Sequence, residues 1–297
     1  MTVETFLQPL PHGITLSCRA AGERGRPTLV FLHGFPEAAF VWDPLLEHFA
    51  ARGWRCVAPN LRGFEKSTRP AEVEQYRPKH LVQDVAALIE TLGAPIECLV
   101  AHDWGGAVAW SLANRLPRLT RRLAIVNSPH PGTFLRELNH NPKQQSASAY
   151  MNFLVRPDAE RLLREDGYRR LFDFFTKGDS ATWMTDALKA QYRAVWDESL
   201  EGGCNYYRAS PLRPPRDGDA AAAAVDLPRE ALTVTLPTLV LWGMNDVALG
   251  PELVDGLDEY VPDLTLRKID AASHWIIHEQ PALVAGELER FLARPLQ

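Results

Sequence analysis

The sequence predicts an α/β protein in which a mostly parallel, twisted sheet is flanked by helices and interrupted by one inserted helical unit. Three observations carry this. Short apolar runs alternate with helical patterns over residues 28–126. The alternation stops after residue 127 and resumes at residue 238. The 297 residues, 46% of them hydrophobic, can bury a large core without disulfide or metal staples.

The elements follow in order. Residues 28–32 (TLVFL) lie between Pro27 and His33-Gly34, and residues 55–58 (RCVA) end at Pro59-Asn60. Residues 96–101 (IECLVA) and 123–126 (LAIV) are similar runs. Such segments suit strands covered on both faces. Between them Leu81, Val85, Leu88, Ile89 and Leu92 recur at helical spacing, and Gly93 is a natural stop. Strand–helix–strand alternation implies parallel pairing through right-handed crossovers. Residues 10–16 fit either an edge strand or a loop.

Residues 128–216 read as helical and rich in aromatics, ending in SPLRPPRDGD. The alanine run at 220–224 fits a helical turn or a linker. Residues 238–242 (TLVLW) and 264–269 (LTLRKI) resume the strand pattern, and residues 282–293 form an amphipathic closing helix. The expected organisation is a core of 1–127 and 217–297 with a helical cap at 128–216. A cap laid over a sheet encloses an apolar pocket.

Composition narrows the partners. The net charge is −5 and the basic residues are scattered, which argues against nucleic acid as a partner. No apolar stretch approaches the ~18 residues of a membrane span. The start, MTVETFLQPLPHG, lacks the basic and apolar regions of a signal peptide. Cys18, Cys56, Cys98 and Cys204 show no metal-like spacing, so reduced, buried thiols and a cytoplasmic location are expected. Oligomeric state is open, a homodimer included.

The chemistry concentrates at residues 101–106 (AHDWGG), which follow a buried run and open a helix. A charged residue framed by small ones at a strand-to-helix junction matches the nucleophile elbow of α/β-hydrolases. Small residues are needed because strand and helix pack close there, and the helix N-terminus favours negative charge. Ala101 occupies a position where glycine is commonest. There is no G-x-S-x-G in the chain; the elbow residue is Asp103. A carboxylate is ionised at neutral pH and suits displacement at an sp³ carbon carrying a leaving group or a strained ring. The resulting ester must then be hydrolysed, which requires a base to activate water. The plain alternative for Asp103 is a helix N-cap.

Companions occur in the matching order. His274, in SHW after the last strand, is the candidate base. Asp246, just past TLVLW, is the candidate acid that orients the imidazole. Turn chemistry is the plain reading of Asn245-Asp246, and Asp270 is a competitor too close to the His274 loop. His278 gives H-x-x-x-H, but without H-E-x-x-H or an obvious third ligand no metal is expected. The turn His33-Gly34-Phe35-Pro36 follows TLVFL, and the N–H groups of Phe35 and Trp104 could converge on an oxyanion.

Together HGFPE at 33–37, HDWGG at 102–106, NDVAL at 245–249 and SHW at 273–275 resemble the epoxide hydrolase branch of the α/β-hydrolase superfamily, over nearly the whole chain. The resemblance implies a small apolar epoxide and water as reactants, a vicinal diol as product, and no cofactor. It also implies two cap tyrosines that bond the epoxide oxygen. Tyr150 in AYMNFLVRPDAE matches the first, and Tyr207 in CNYYRASP the second. Adjacent helical residues point about 100° apart, so Tyr206 and Tyr207 cannot both face the site. The N-x-Y-R pattern favours Tyr207, and Tyr206 stays open.

Two rival chemistries use the same frame. A haloalkane dehalogenase would use the Trp104 indole N–H to hold halide, but a second donor, often Asn at the position of Phe35, is missing. Fluoroacetate dehalogenases carry Arg after the nucleophile, where this chain has Trp104. A non-catalytic binding module on a hydrolase fold is a reading from another class, against which the full residue set argues.

Overall fold

The computed structural model describes residues 2–176 and 181–296. The strands are β1 (Glu4–Pro9), β2 (Thr15–Ala21), β3 (Thr28–Leu32), β4 (Arg55–Pro59), β5 (Cys98–His102), β6 (Leu123–Val126), β7 (Thr238–Gly243) and β8 (Leu264–Ile269). They form one sheet in the order β1-β2-β4-β3-β5-β6-β7-β8. β1–β2 and β2–β4 pair antiparallel and all other neighbours pair parallel. The chain thus has the α/β-hydrolase architecture of a mostly parallel sheet between helices.

The central strands β3, β4, β5, β6 and β7 are buried at every residue. Their side chains pack against helices on both faces, which is why they read as short apolar runs, with Arg55 opening β4 and His102 closing β5 as buried polar ends. Helices α1 (Asp43–Ala50), α2 (Pro78–Leu92), α3 (Asp103–Arg115), α9 (Ile276–Glu279) and α10 (Pro281–Leu292) belong to this core. Pro78 opens α2, and Gly93 ends it with φ +96 and its N–H on the Glu90 carbonyl.

Boundaries differ from the sequence reading at several ends: β4 extends to Pro59, β7 to Gly243, and α10 spans Pro281–Leu292. β5 begins at Cys98 rather than residue 96, because Ile96 pairs as a lone bridge with Thr120 ahead of the ladder. Of residues 10–16, residues 10–14 are the connecting turn of the β1–β2 hairpin, with Gly13 at φ +83 and the Leu10 N–H on the Ile14 carbonyl, and Thr15 and Leu16 open β2. β1 escaped the apolar pattern because it is an edge strand, largely exposed.

Between β6 and β7 the chain leaves the sheet. It forms α4 (Pro131–His140), α5 (Pro142–Ala147), α6 (Ala149–Leu154), α7 (Ala159–Thr176) and α8 (Asp186–Ala209). The alanine run forms a short 3₁₀ turn at Ala221–Ala224 before the chain re-enters the sheet at Thr238. The carboxyl ends of β3, β5, β6, β7 and β8 all point the same way, so the segments that follow them meet on one rim. In open α/β sheets that rim is where ligands bind.

Candidate active site

The rim turns on Asp103. β5 ends at His102 with extended backbone, and Asp103 then takes φ +48, in the left-handed region. A non-glycine residue there is strained and is held by its surroundings. The constraints are visible. A Cβ on Gly105 would lie 2.5 Å from the Leu32 carbonyl oxygen, and one on Gly106 2.3 Å from Ser128 Oγ. Only glycine lets α3 start this close to β3 and β6. Ser128 also donates to the Asp103 carbonyl oxygen at 2.6 Å.

The Asp103 carboxylate faces two groups. Phe35 N–H donates to its Oδ1 at 2.8 Å. Its Oδ2 lies 3.8 Å from His274 Nε2, beyond hydrogen-bond reach. The Trp104 N–H, in the first turn of α3, has no helical acceptor. Gly34 is the reason the turn 33–37 can approach so near: a Cβ there would sit 2.3 Å from Asp103 Oδ1.

Behind His274 stands Asp246. His274 Nδ1 donates to Asp246 Oδ2 at 2.7 Å, and Asn127 Nδ2 donates to the same oxygen at 2.9 Å. Asp246 Oδ1 accepts from the N–H groups of Ala248 and Leu249, both at 2.9 Å. Burial would raise this carboxyl, but the imidazole and these donors hold it below its ordinary range. For His274, burial pushes downward. The charge and hydrogen bond of Asp246, then the charges of Asp103 and Glu37, outweigh that and lift the imidazole to about 9.

Tyr150 on α6 and Tyr207 on α8 look onto Asp103 from the inserted helices, their rings 6.1 Å apart and edge to face. Burial, with the nearby carboxylates, raises the Tyr150 phenol, and burial raises that of Tyr207. Both therefore keep their O–H donors through the working pH range. Two cavities meet at Asp103 and Tyr150. One is lined by Trp104, Phe134, Met151 and Leu212 among others. The other is lined by Phe35, Tyr207, Val247 and His274 among others.

Tyr206 points elsewhere. Its hydroxyl donates to the Arg62 carbonyl at 2.9 Å and its ring packs on Phe64 and Tyr76. His33 also faces away from both cavities. Its Nδ1 bonds the Gly34 carbonyl and its Nε2 accepts from Leu61 N–H at 3.0 Å, so the ring braces the turn. Burial pushes His33 down to about 4, which keeps it neutral for that role.

Sequence reasoning passed over two features. Asn127, at φ +39, bridges Asp246 and the Gly243 N–H from a position that reads only as the residue after β6. Glu37 is fully buried. Its Oε1 meets Tyr192 OH at 2.8 Å and His278 Nε2 at 2.6 Å, and its Oε2 lies 3.2 Å from His102 Nδ1. His278 therefore serves Glu37 rather than a site shared with His274. The HGFPE string contains Glu37, but nothing local marks it as buried.

Comparisons place this geometry among known proteins. The α/β-hydrolase fold family matches residues 27–281. The AB hydrolase superfamily protein YfhM of Bacillus subtilis is 33% identical, covering 92% of both chains. Mouse epoxide hydrolase 4 is 32% identical over 94% of this chain and 77% of its own. A solved structure of an epoxide hydrolase from hot-environment metagenomes is 37% identical, with a TM-score of 0.88 over 99% of this chain and 100% of that one.

Proposed function

The chain belongs to the α/β-hydrolase fold family, in its epoxide hydrolase branch, and from that premise we propose that it hydrolyses a small apolar epoxide to a vicinal diol through an ester on Asp103. One observation carries the reading. A carboxylate on a left-handed turn lies between a backbone donor and an imidazole, and faces the half-buried Tyr150 and the buried Tyr207 across a largely apolar cavity. The same residue set would be superfluous in a binding module.

In the first step an Asp103 oxygen attacks one epoxide carbon, and the C–O bond breaks toward oxygen. Tyr150 and Tyr207 hydrogen-bond that oxygen and supply its proton. His274 enters the cycle protonated, in keeping with its raised affinity for protons. Alkylation removes the Asp103 charge, one of the charges that sustain the imidazolium. His274 then gives its proton, through the water of the cavity, to the tyrosine that donated.

In the second step neutral His274, oriented by Asp246, takes a proton from water as the oxygen adds to the ester carbonyl. Phe35 N–H holds the oxygen that becomes negative, with Trp104 N–H as the second donor. Collapse releases the diol and returns Asp103 to a carboxylate and His274 to an imidazolium. No proton is gained or lost over the cycle, and no cofactor is required.

The residues 128–216 act as the cap that supplies the tyrosines and walls the cavity. The four free, buried cysteines suit a reducing compartment such as the cytoplasm. Among the described residues no helix is long and apolar enough to cross a membrane.

The deciding test is one turnover of styrene oxide in H₂¹⁸O with enzyme in excess. The diol should leave unlabelled, because its new oxygen comes from Asp103, and the label should appear in the protein. His274→Gln should accumulate the ester, seen by intact mass. Label in the first-turnover diol, with no ester on His274→Gln, would sink the covalent reading.

A further inference from the structure

The turn 33–37 lies beyond the last ladder residue of β3, so the sheet does not hold it. It is gripped from the cap side by α8. Along that element, which is broken at Ser199 (φ −141, ψ 16), Tyr192 and Trp196 lie four apart before the break and Gly203 and Tyr207 four apart after it, each pair on one face of its own segment. Each of the four meets the turn. Trp196 Nε1–H donates to the Pro36 carbonyl at 2.6 Å, and Tyr192 OH donates to Glu37 Oε1 at 2.8 Å. Gly203 faces the Phe35 ring so closely that a Cβ would lie 2.6 Å from it. The Tyr207 ring meets the same phenyl edge to face at 5.4 Å. Trp196 and Tyr192 are 2% and 0% exposed, so neither bond competes with water.

We propose that Trp196 and Tyr192 are positioning residues for the Phe35 N–H. They hold the turn so that this donor aims at Asp103 Oδ1, the oxygen that turns negative during ester hydrolysis. The inference rests on the covalent-ester reading above. The two segments of α8 then serve the two halves of the reaction: Tyr207, after the break at Ser199, assists ring opening, and the two anchors before it place the donor for hydrolysis.

The effect should fall on one step. During ring opening the Phe35 N–H touches only the carboxylate oxygen that does not attack. During hydrolysis it meets a developing full charge, where a preorganised donor is worth most. When alkylation is effectively irreversible, kcat/KM reports ring opening, while slowed hydrolysis lowers kcat and KM together. A merely structural defect has no reason to separate these quantities.

The experiment measures ester and diol by rapid quench and intact mass, with styrene oxide, on the full chain. It compares wild type, Trp196→Phe and Tyr192→Phe. Hydrolysis of the ester should slow about 10- to 100-fold in Trp196→Phe and about 3- to 10-fold in Tyr192→Phe, less than the ~10²–10³-fold of a deleted oxyanion donor because the Phe35 N–H is misplaced rather than removed. Ester should accumulate, and kcat/KM should stay within about threefold of wild type. Equal loss in kcat and kcat/KM without ester, or hydrolysis at the wild-type rate, overturns the proposal. If Trp196→Phe fails to fold, Tyr192→Phe, which loses a single hydroxyl, decides alone. Label from H₂¹⁸O in the first-turnover diol of wild type would strike the covalent reading instead.

Discussion

Gly34→Ala puts a methyl group where the nucleophile sits. The new Cβ would lie 2.3 Å from Asp103 Cβ and Oδ1 and 2.7 Å from Cγ. Non-bonded carbons prefer about 3.5–4.0 Å, so carboxylate and turn must separate by about 1 Å. Neither side yields freely. Asp103 is fixed at φ +48, and α3 is pressed against the Leu32 and His33 carbonyls at Gly105. The turn is tied through the His33 ring, Trp196 and Tyr192. Misplacing a reacting group by about 1 Å can cost about 10²-fold in rate. Overpacking costs about 1–3 kcal/mol of stability. The expected result is ester formation about 100-fold slower than wild type, measured by rapid quench and intact mass, with a lower melting temperature. Gly286→Ala is the control. A Cβ there meets nothing nearer than 3.7 Å, and helix propensity favours alanine by about 1 kcal/mol, so its rates should not change. Ester formation by Gly34→Ala within threefold of wild type, at unchanged stability, would refute the packing argument.

Two further predictions concern protons and the adjacent tyrosines. The His274 imidazole is raised from 6.5 to about 9 by its carboxylate partners against the pull of burial, so its contribution to stability is complete below pH 6.5 and is lost as pH rises through 9. At 1.36 kcal/mol per unit this amounts to about 3 kcal/mol; denaturant unfolding from pH 6.5 to 9 should show the decline, and His274→Gln should flatten it. Tyr206→Phe should lose about 1 kcal/mol with the bond to the Arg62 carbonyl and leave ring opening nearly intact. Tyr207→Phe should slow ring opening about 10- to 100-fold at little cost in melting temperature; reversed phenotypes in single-turnover assays would exchange the two assignments.

Strands β3 to β8 and the helices α2, α3 and α10 were legible because their causes are local. A strand covered on both faces must be apolar throughout, and β3, β4, β6 and β7 announce themselves that way. A tight strand-to-helix junction needs small residues, so Gly105 and Gly106 mark in the sequence the turn that lifts Asp103. β1 left no such trace, because an edge strand open to water carries no apolar run.

What the tertiary structure alone decided is which neighbours each polar group meets. Tyr206 and Tyr207 are chemically alike, and the sequence pattern favours Tyr207 without showing where Tyr206 goes. α8 packs so that one hydroxyl finds the Arg62 carbonyl while the other ring lines the cavity beside Asp103. Glu37 looks like a surface residue of a turn. It is buried because Tyr192, His278 and His102 arrive from three separate segments to surround it. Asn127 reaches Asp246 across 119 residues of sequence. Periodicity records whether a position faces the core. It does not record which distant donor or charge will be waiting there, since that is set by how whole elements pack.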